Sequence, residues 1–173
     1  MKAFITDLAA YNSGSLVGAW VDPDTEDVDE AIERVLEHGA IQTCETNHEE
    51  WFVTDYDDLP KTIADWLGEY PDSEKLTRVA SFDDDDLNKL CAYLDYNGSI
   101  DLDTFDPDNV IGPWGSLEDV TYEHVAEFIL PEIREDMRKT VENYFDYKAF
   151  SRDLEIEGRF VTVDQVGVFE IVD

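Results

Sequence analysis

The chain has 173 residues, enough for one domain or for two to three small ones. It carries 43 Asp and Glu against 12 Lys and Arg, a formal net charge of −31, which excludes binding to nucleic-acid phosphates or to an anionic lipid surface. Apolar residues make up 43% and aromatics 12%, too many for a disordered acidic tail, so a folded core is expected.

The charge is the outlying quantity. A compact chain of this length has a radius of gyration of roughly 16 Å and is therefore about 40 Å across. Duplex DNA carries one charge per ~1.7 Å of axis, so −31 equals the charge on about 50 Å of duplex. Holding it costs stability through self-repulsion. Three explanations justify that cost: life in concentrated salt, cation binding, or a strongly basic partner. Cys44 and Cys91 read as reduced thiols, the N-terminus lacks a secretory apolar core, and no run approaches the length of a membrane span. A cytoplasmic location is expected.

In chain order, Ala3–Asp7 reads as a strand, Tyr11–Ser15 as a turn and Leu16–Val21 as a second strand. Val28–Leu36 has apolar residues at helical spacing, with Gly39 as the expected stop. Glu50–Asp55 reads as a third strand. Lys61–Tyr70, Ser73–Ser81 and Asp83–Asp95 read as three short helices, the last opened by Asp83, Asp84, Asp85 and Asp86, where negative charge suits a helix N-terminus. Gly98–Gly115, rich in Asp, Pro and Gly, reads as a linker.

Leu117–Tyr147 carries acids at roughly one-turn spacing, with no Lys or Arg between Lys89 and Arg134. Ser116 is the expected N-cap, with Asp119 in an imperfect capping box, and Pro131 is expected to divide the stretch into two helices. Leu117, Val120, Val125, Phe128, Ile129, Ile133, Met137, Val141 and Phe145 are expected to face a core. Lys148–Leu154 reads as a short helical turn. Gly158–Val163 and Val166–Val172 read as a hairpin bending at Asp164-Gln165, with Phe160, Val168 and Phe169 as core candidates. The fold class is α+β, expected as an elongated chain of three small domains. They are a sheet-plus-helix unit over 1–58, a helical bundle over 59–112, and helices with a C-terminal hairpin over 113–173.

Catalytic and metal motifs are missing: there is no Walker loop and no GxGxxG, and Gly14–Gly18 lacks the nucleophile-elbow spacing. His38, Cys44, His48 and Cys91 have no zinc-site spacing. Asp95–Asp106 offers oxygen side chains at an EF-hand-like count, but its glycine falls at the fourth place instead of the sixth and its last residue is Asp. No enzyme, no cofactor and no metal are expected.

Two blocks carry a resemblance. Asp7-Leu8-Ala9-Ala10-Tyr11-Asn12-Ser13-Gly14-Ser15-Leu16-Val17-Gly18-Ala19-Trp20 resembles the N-terminal signature of the ArdA antirestriction proteins. Tyr144–Leu154, Gly158-Arg159-Phe160 and Gly167–Ile171 resemble that family's C-terminal pattern, in the same order and at the right separation. The resemblance implies a homodimeric, elongated DNA mimic, dimerised through its C-terminal domain and made by mobile elements such as conjugative plasmids. It implies occupancy of the DNA-binding groove of type I restriction-modification enzymes, both the methyltransferase core and the full nuclease complex, and no catalytic residues. A dimer carries twice −31, the charge of about 31 base pairs. The expected contact surface is Asp83, Asp84, Asp85, Asp86, Glu118, Asp119, Glu123, Glu127, Glu132 and Glu135. The competing readings are a haloadapted acidic domain and a calcium-binding protein.

Overall fold

In a computed structural model, residues 1–44 and 47–172 are described. The elements are β1 (Lys2–Asp7), α1 (Leu8–Asn12), β2 (Gly18–Val21), α2 (Val28–Thr43), β3 (Trp51–Asp57), α3 (Lys61–Leu67), α4 (Ser73–Ala80), α5 (Asp84–Asn97), β4 (Val110–Trp114), α6 (Leu117–His124), α7 (Glu135–Tyr144), α8 (Tyr147–Glu157), β5 (Phe160–Val163) and β6 (Gly167–Ile171). The class is α+β, as the sequence reading has it. The chain forms two compact units, Met1–Leu87 with Asp101–Thr104, and Asn88–Ile100 with Phe105–Asp173.

The first unit is built on an antiparallel sheet in the order β2-β1-β3. β1 is central, and its Ala3 and Ile5 are fully buried at alternate positions, as the period of two requires. Helix α2 buries Val28, Ala31, Ile32 and Val35, the i, i+3, i+4, i+7 stripe of an amphipathic helix, and packs on β1 and β2. Ile63, Leu67, Leu76 and Val79 of α3 and α4 complete the core.

Two local expectations fail here, both because of Asp7. The Asp7 carboxylate accepts a hydrogen bond from the Ala10 N–H (2.9 Å) and so caps a short helix, α1, where Tyr11–Ser15 reads as a turn; Gly14, at φ +88°, then turns the chain into β2. The other Asp7 oxygen lies 2.5 Å from His48 Nδ1, and both side chains are buried. His48 Nε2 lies 2.9 Å from the Thr43 hydroxyl, which donates to the Gly39 carbonyl (3.0 Å). Helix α2 therefore does not stop at Gly39. A Cβ there would run into the Asp7 carboxylate and come within 2.9 Å of the His48 ring, so glycine makes room for the buried pair. The helix ends four residues later, with Cys44 left-handed at φ 59°.

The second unit is an antiparallel sheet in the order β4-β6-β5. Strand β4 falls inside 98–115, so that segment is not wholly a linker: it supplies an edge strand, with Val110 opposite Ile171. The β5–β6 hairpin bends at Asp164-Gln165 as expected, with Gln165 at φ 62°. Helices α6 and α8 cover the sheet. Val120, Leu154 and Val168 form a buried cluster, and Trp114, Leu117, Phe150 and Phe160 pack against it.

Leu117–Tyr147 is two helices, but with more punctuation than Pro131 alone implies. A π-helical turn occupies Val125–Ile129, a 3-10 turn occupies Leu130–Glu132, and Ile133 and Arg134 are extended before α7. The residues expected to face a core do so only in part. Val120 and Val125 are buried, but Phe128 is 63% exposed, Met137 is 45% exposed, and no residue of α7 is buried. The π turn moves later side chains off the α-helical phase, and the extended pair re-aims α7.

Substituting Gly39→Ala tests the packing around Asp7. The added methyl is expected to cost about 1–3 kcal/mol, read as a lower urea midpoint at unchanged m-value; an unaltered midpoint would show that the buried pair tolerates a Cβ there.

Candidate partner-binding surface

The ten expected contact acids fall into two groups, one in each unit. Asp83, Asp84 and Asp85 are exposed and Asp86 is half-buried at the start of α5. The Asp83 carboxylate accepts the Asp86 N–H (2.9 Å). These acids thus serve the helix first: carboxylates in a first turn are worth ~0.3–1 kcal/mol each against the helix dipole.

In the second unit, Ser116 caps α6, its Oγ accepting the Asp119 N–H (3.2 Å) and donating to Asp119 Oδ2 (2.7 Å). The Asp119 side chain therefore meets the serine hydroxyl, where the full capping box has a longer acid reaching the main chain. Glu123 Oε2 accepts from the Trp114 indole N–H at 2.6 Å, which ties the end of α6 to β4. Glu118, Glu127, Glu132 and Glu135 are exposed, and among the described residues none of the four meets a Lys, Arg or His within salt-bridge distance. The neighbouring Asp136 differs: Arg134 holds it through two contacts of 2.5 and 3.1 Å. The stretch from α6 to the start of α7 thus presents exposed carboxylates without a counter-charge, as do other exposed acids such as Glu30, Glu33 and Glu37 of α2. The acids line exposed helical turns and do not converge on a pocket.

The surface also holds aromatic and apolar groups, among them Phe128, expected from the sequence to face a core. Tyr122 and Tyr147 stack with centroids 4.3 Å apart, His124 contacts Phe128 and Phe150, and Phe145 contacts Tyr147 and Phe150. Desolvation, and then Glu142 and Tyr122, holds the Tyr147 phenol above its ordinary range. Tyr144 and Ile156 are 86% and 75% exposed. The helical period gives no sign of this exposure; Pro131 was the only available warning that the phase would break.

Fold and surface together define an acidic α+β protein with a carboxylate-bearing helical surface and adjoining exposed aromatics. Residues 3–170 match the sequence model of the family described as antirestriction protein (ArdA), and the chain belongs to that family. Its function is accordingly antirestriction, that of an inhibitor directed at restriction enzymes. No individually curated protein matches the chain.

No group of three His, Cys, Asp or Glu with metal-holding geometry occurs among the described residues. In the EF-hand-like stretch, Asp101 Oδ1 accepts the Asp103 N–H and Asp106 Oδ1 the Asp108 N–H, local turns that occupy the side chains. No helix among the described residues is long and apolar enough to cross a membrane. The two thiols differ sharply: Cys44 is exposed, while Cys91 is buried in α5, and burial, with Asp95, pushes its pKa from 9.0 to about 11. Between those two values the folded chain binds a proton that the unfolded chain has lost, so stability falls as pH rises through that window. A thiol-exchange assay at pH 8 is expected to give one fast-reacting cysteine in the native protein and two in denaturant. Two fast thiols in the native state would overturn the burial of Cys91.

Proposed function

We propose that this antirestriction protein is a DNA mimic that occupies the DNA-binding groove of type I restriction-modification enzymes. It would engage the methyltransferase core and the full nuclease complex alike, and so block cleavage and modification by competition. The observation that carries this reading is the run of exposed, uncompensated carboxylates Glu118, Glu127, Glu132 and Glu135, on a chain of net charge −31. A groove that binds DNA presents Lys and Arg to phosphates, and releasing its counterions gives a large, salt-dependent attraction for any polyanion of suitable shape. The inhibitor needs no chemistry of its own. It acts in the cytoplasm, where restriction enzymes meet incoming DNA.

The same reading makes the working form a homodimer joined through the C-terminal unit, with the elongated three-domain outline of 1–58, 59–112 and 113–173. Of the apolar side chains of α7 only Val141 is half-buried, and Met137 and Tyr144 lie exposed, as does Phe128 on the π turn. Exposed apolar side chains of this kind are what a subunit interface would cover.

Competition binding tests the mimicry. Excess protein is expected to displace specific duplex from a type I methyltransferase at low salt, with inhibition fading as salt rises. Failure to displace duplex at any salt rejects the proposal. Replacing Glu118 and Glu127 together by Lys, which leaves the Glu123–Trp114 contact in place, is expected to weaken inhibition by roughly tenfold or more and to flatten its salt dependence. Unchanged inhibition would remove this helix from the interface. For the dimer, sedimentation velocity should give twice the chain mass with a raised frictional ratio, and Phe128→Asp with Met137→Asp should return the monomer. A wild-type monomer at all concentrations would exclude it.

A further inference from the structure

Sheet β2-β1-β3 has two edges that differ in kind. At β3 the Val53 N–H donates outward to the Glu69 carbonyl (2.8 Å), so that edge is covered. At β2 the register pairs Ala3 with Val21 and Ile5 with Ala19, and the Asp7 N–H donates to the Val17 carbonyl (2.9 Å). Alternation along an antiparallel pair then turns the main-chain groups of Val17, Ala19 and Val21 toward β1 and those of Gly18 and Trp20 outward. Gly18–Val21 contains no Lys, no Pro and no bulge, the usual devices that blunt an edge. Leu16 and Trp20 are exposed beside it. Along this edge runs a cleft of about 370 Å³ between β2 and α2, walled by Val17, Ala19 and Val35 and rimmed by Arg34 and His38.

We infer that the β2 edge and this cleft are a docking site for an extended, basic polypeptide segment, added as a fourth antiparallel or parallel strand. The outward amides of Gly18 and Trp20 supply the strand hydrogen bonds, and the cleft takes an apolar side chain at an alternate position, the recognition mode of strand addition. Charge selects the occupant. Arg34 is neutralised by Glu26 at 2.6 Å, Glu30 and Glu37 stand one turn to either side of it on exposed positions, and Asp22 and Asp24 follow β2 directly. An acidic segment is repelled from this rim, whereas one with Lys or Arg flanking its apolar residue is attracted. The site goes beyond DNA mimicry, because a phosphate backbone offers no strand ladder to imitate, and it belongs to the first unit, whereas the acids of α6 and α7 belong to the second.

The test uses the full chain and a labelled peptide of alternating valine and threonine flanked by two lysines at each end. Binding by fluorescence anisotropy is expected, with slowed amide exchange at Gly18 and Trp20. N-methylating alternate peptide amides, which removes strand hydrogen bonds and keeps the charge, should reduce affinity by roughly tenfold or more. Glu30→Lys with Glu37→Lys, both at exposed positions, should weaken binding at low salt. No binding at low salt, equal binding of the N-methylated peptide, or exchange protection only outside β2 would each overturn the site. Duplex displacement from a type I methyltransferase is read separately, so either result can fail without the other.

Discussion

Self-repulsion is the constraint that everything else in this molecule answers to. With 43 acids and 12 cations, most carboxylates have no counter-charge available in the chain, and surface pairing cannot hold the fold together. The ion pairs Arg34–Glu26, Lys75–Asp72 and Arg134–Asp136 sit on exposed or part-exposed side chains, where each is worth ~0–1 kcal/mol. A fully buried Ile5, Ile63, Leu76, Leu90 or Phe169 contributes about 1.5–3 kcal/mol. Burial therefore decides stability, and each unit carries its own apolar core. The exception to the surface rule is Asp7–His48, buried at 2.5 Å and joined to Thr43. It ties the end of β1, the start of α1 and the last turn of α2 into one network.

The acids divide by the work they do. Asp7, Asp27, Asp83, Asp106 and Asp146 each accept a main-chain N–H at the start of a helical segment, so their charge faces donors that would otherwise be unmet. Glu118, Glu127, Glu132 and Glu135 accept no main-chain N–H at a cap, although Glu118 and Glu135 stand in the first turns of α6 and α7 and face the helix dipole there. Carboxylates of the first kind maintain the fold, while those of the second kind are available to a partner. A charge-reversal series that mixes the two will confuse unfolding with lost binding, Asp83 being the plainest case among the expected contact residues.

Much of the fold was legible because local rules were undisturbed: the β1 alternation, the α2 stripe, the Ser116 cap and the hairpin bend at Asp164-Gln165 all follow from period and turn chemistry. The errors share a cause, tertiary demand overriding a local signal. Gly39 reads as a helix stop, yet it is the residue that lets α2 pass over a buried carboxylate. The Asp-Pro-Gly composition of 98–115 reads as a linker, yet Val110–Trp114 completes a sheet whose other strands lie more than forty residues further on. The core face extrapolated through Phe128 and Met137 ignored a π turn that period alone does not reveal. The acidic surface was visible as composition and family resemblance; the aromatics beside it were not, because exposure depends on the phase of the helix.

The lack of burial along α7 has a consequence for how the molecule is completed. A ten-residue helix with three acids and no buried side chain is shorter than the roughly 12–15 residues at which isolated helices become even marginal in water. Within its own unit it is held by Arg138, which donates to the Ile133 and Pro131 carbonyls, and under the dimer reading a second chain supplies further surface. The ordering of α7 then becomes a second-order event governed by how many copies have accumulated. A protein of this kind would begin as a scarce monomer with an unfinished helix and mature as synthesis proceeds, so that its dose sets its structure as well as its occupancy.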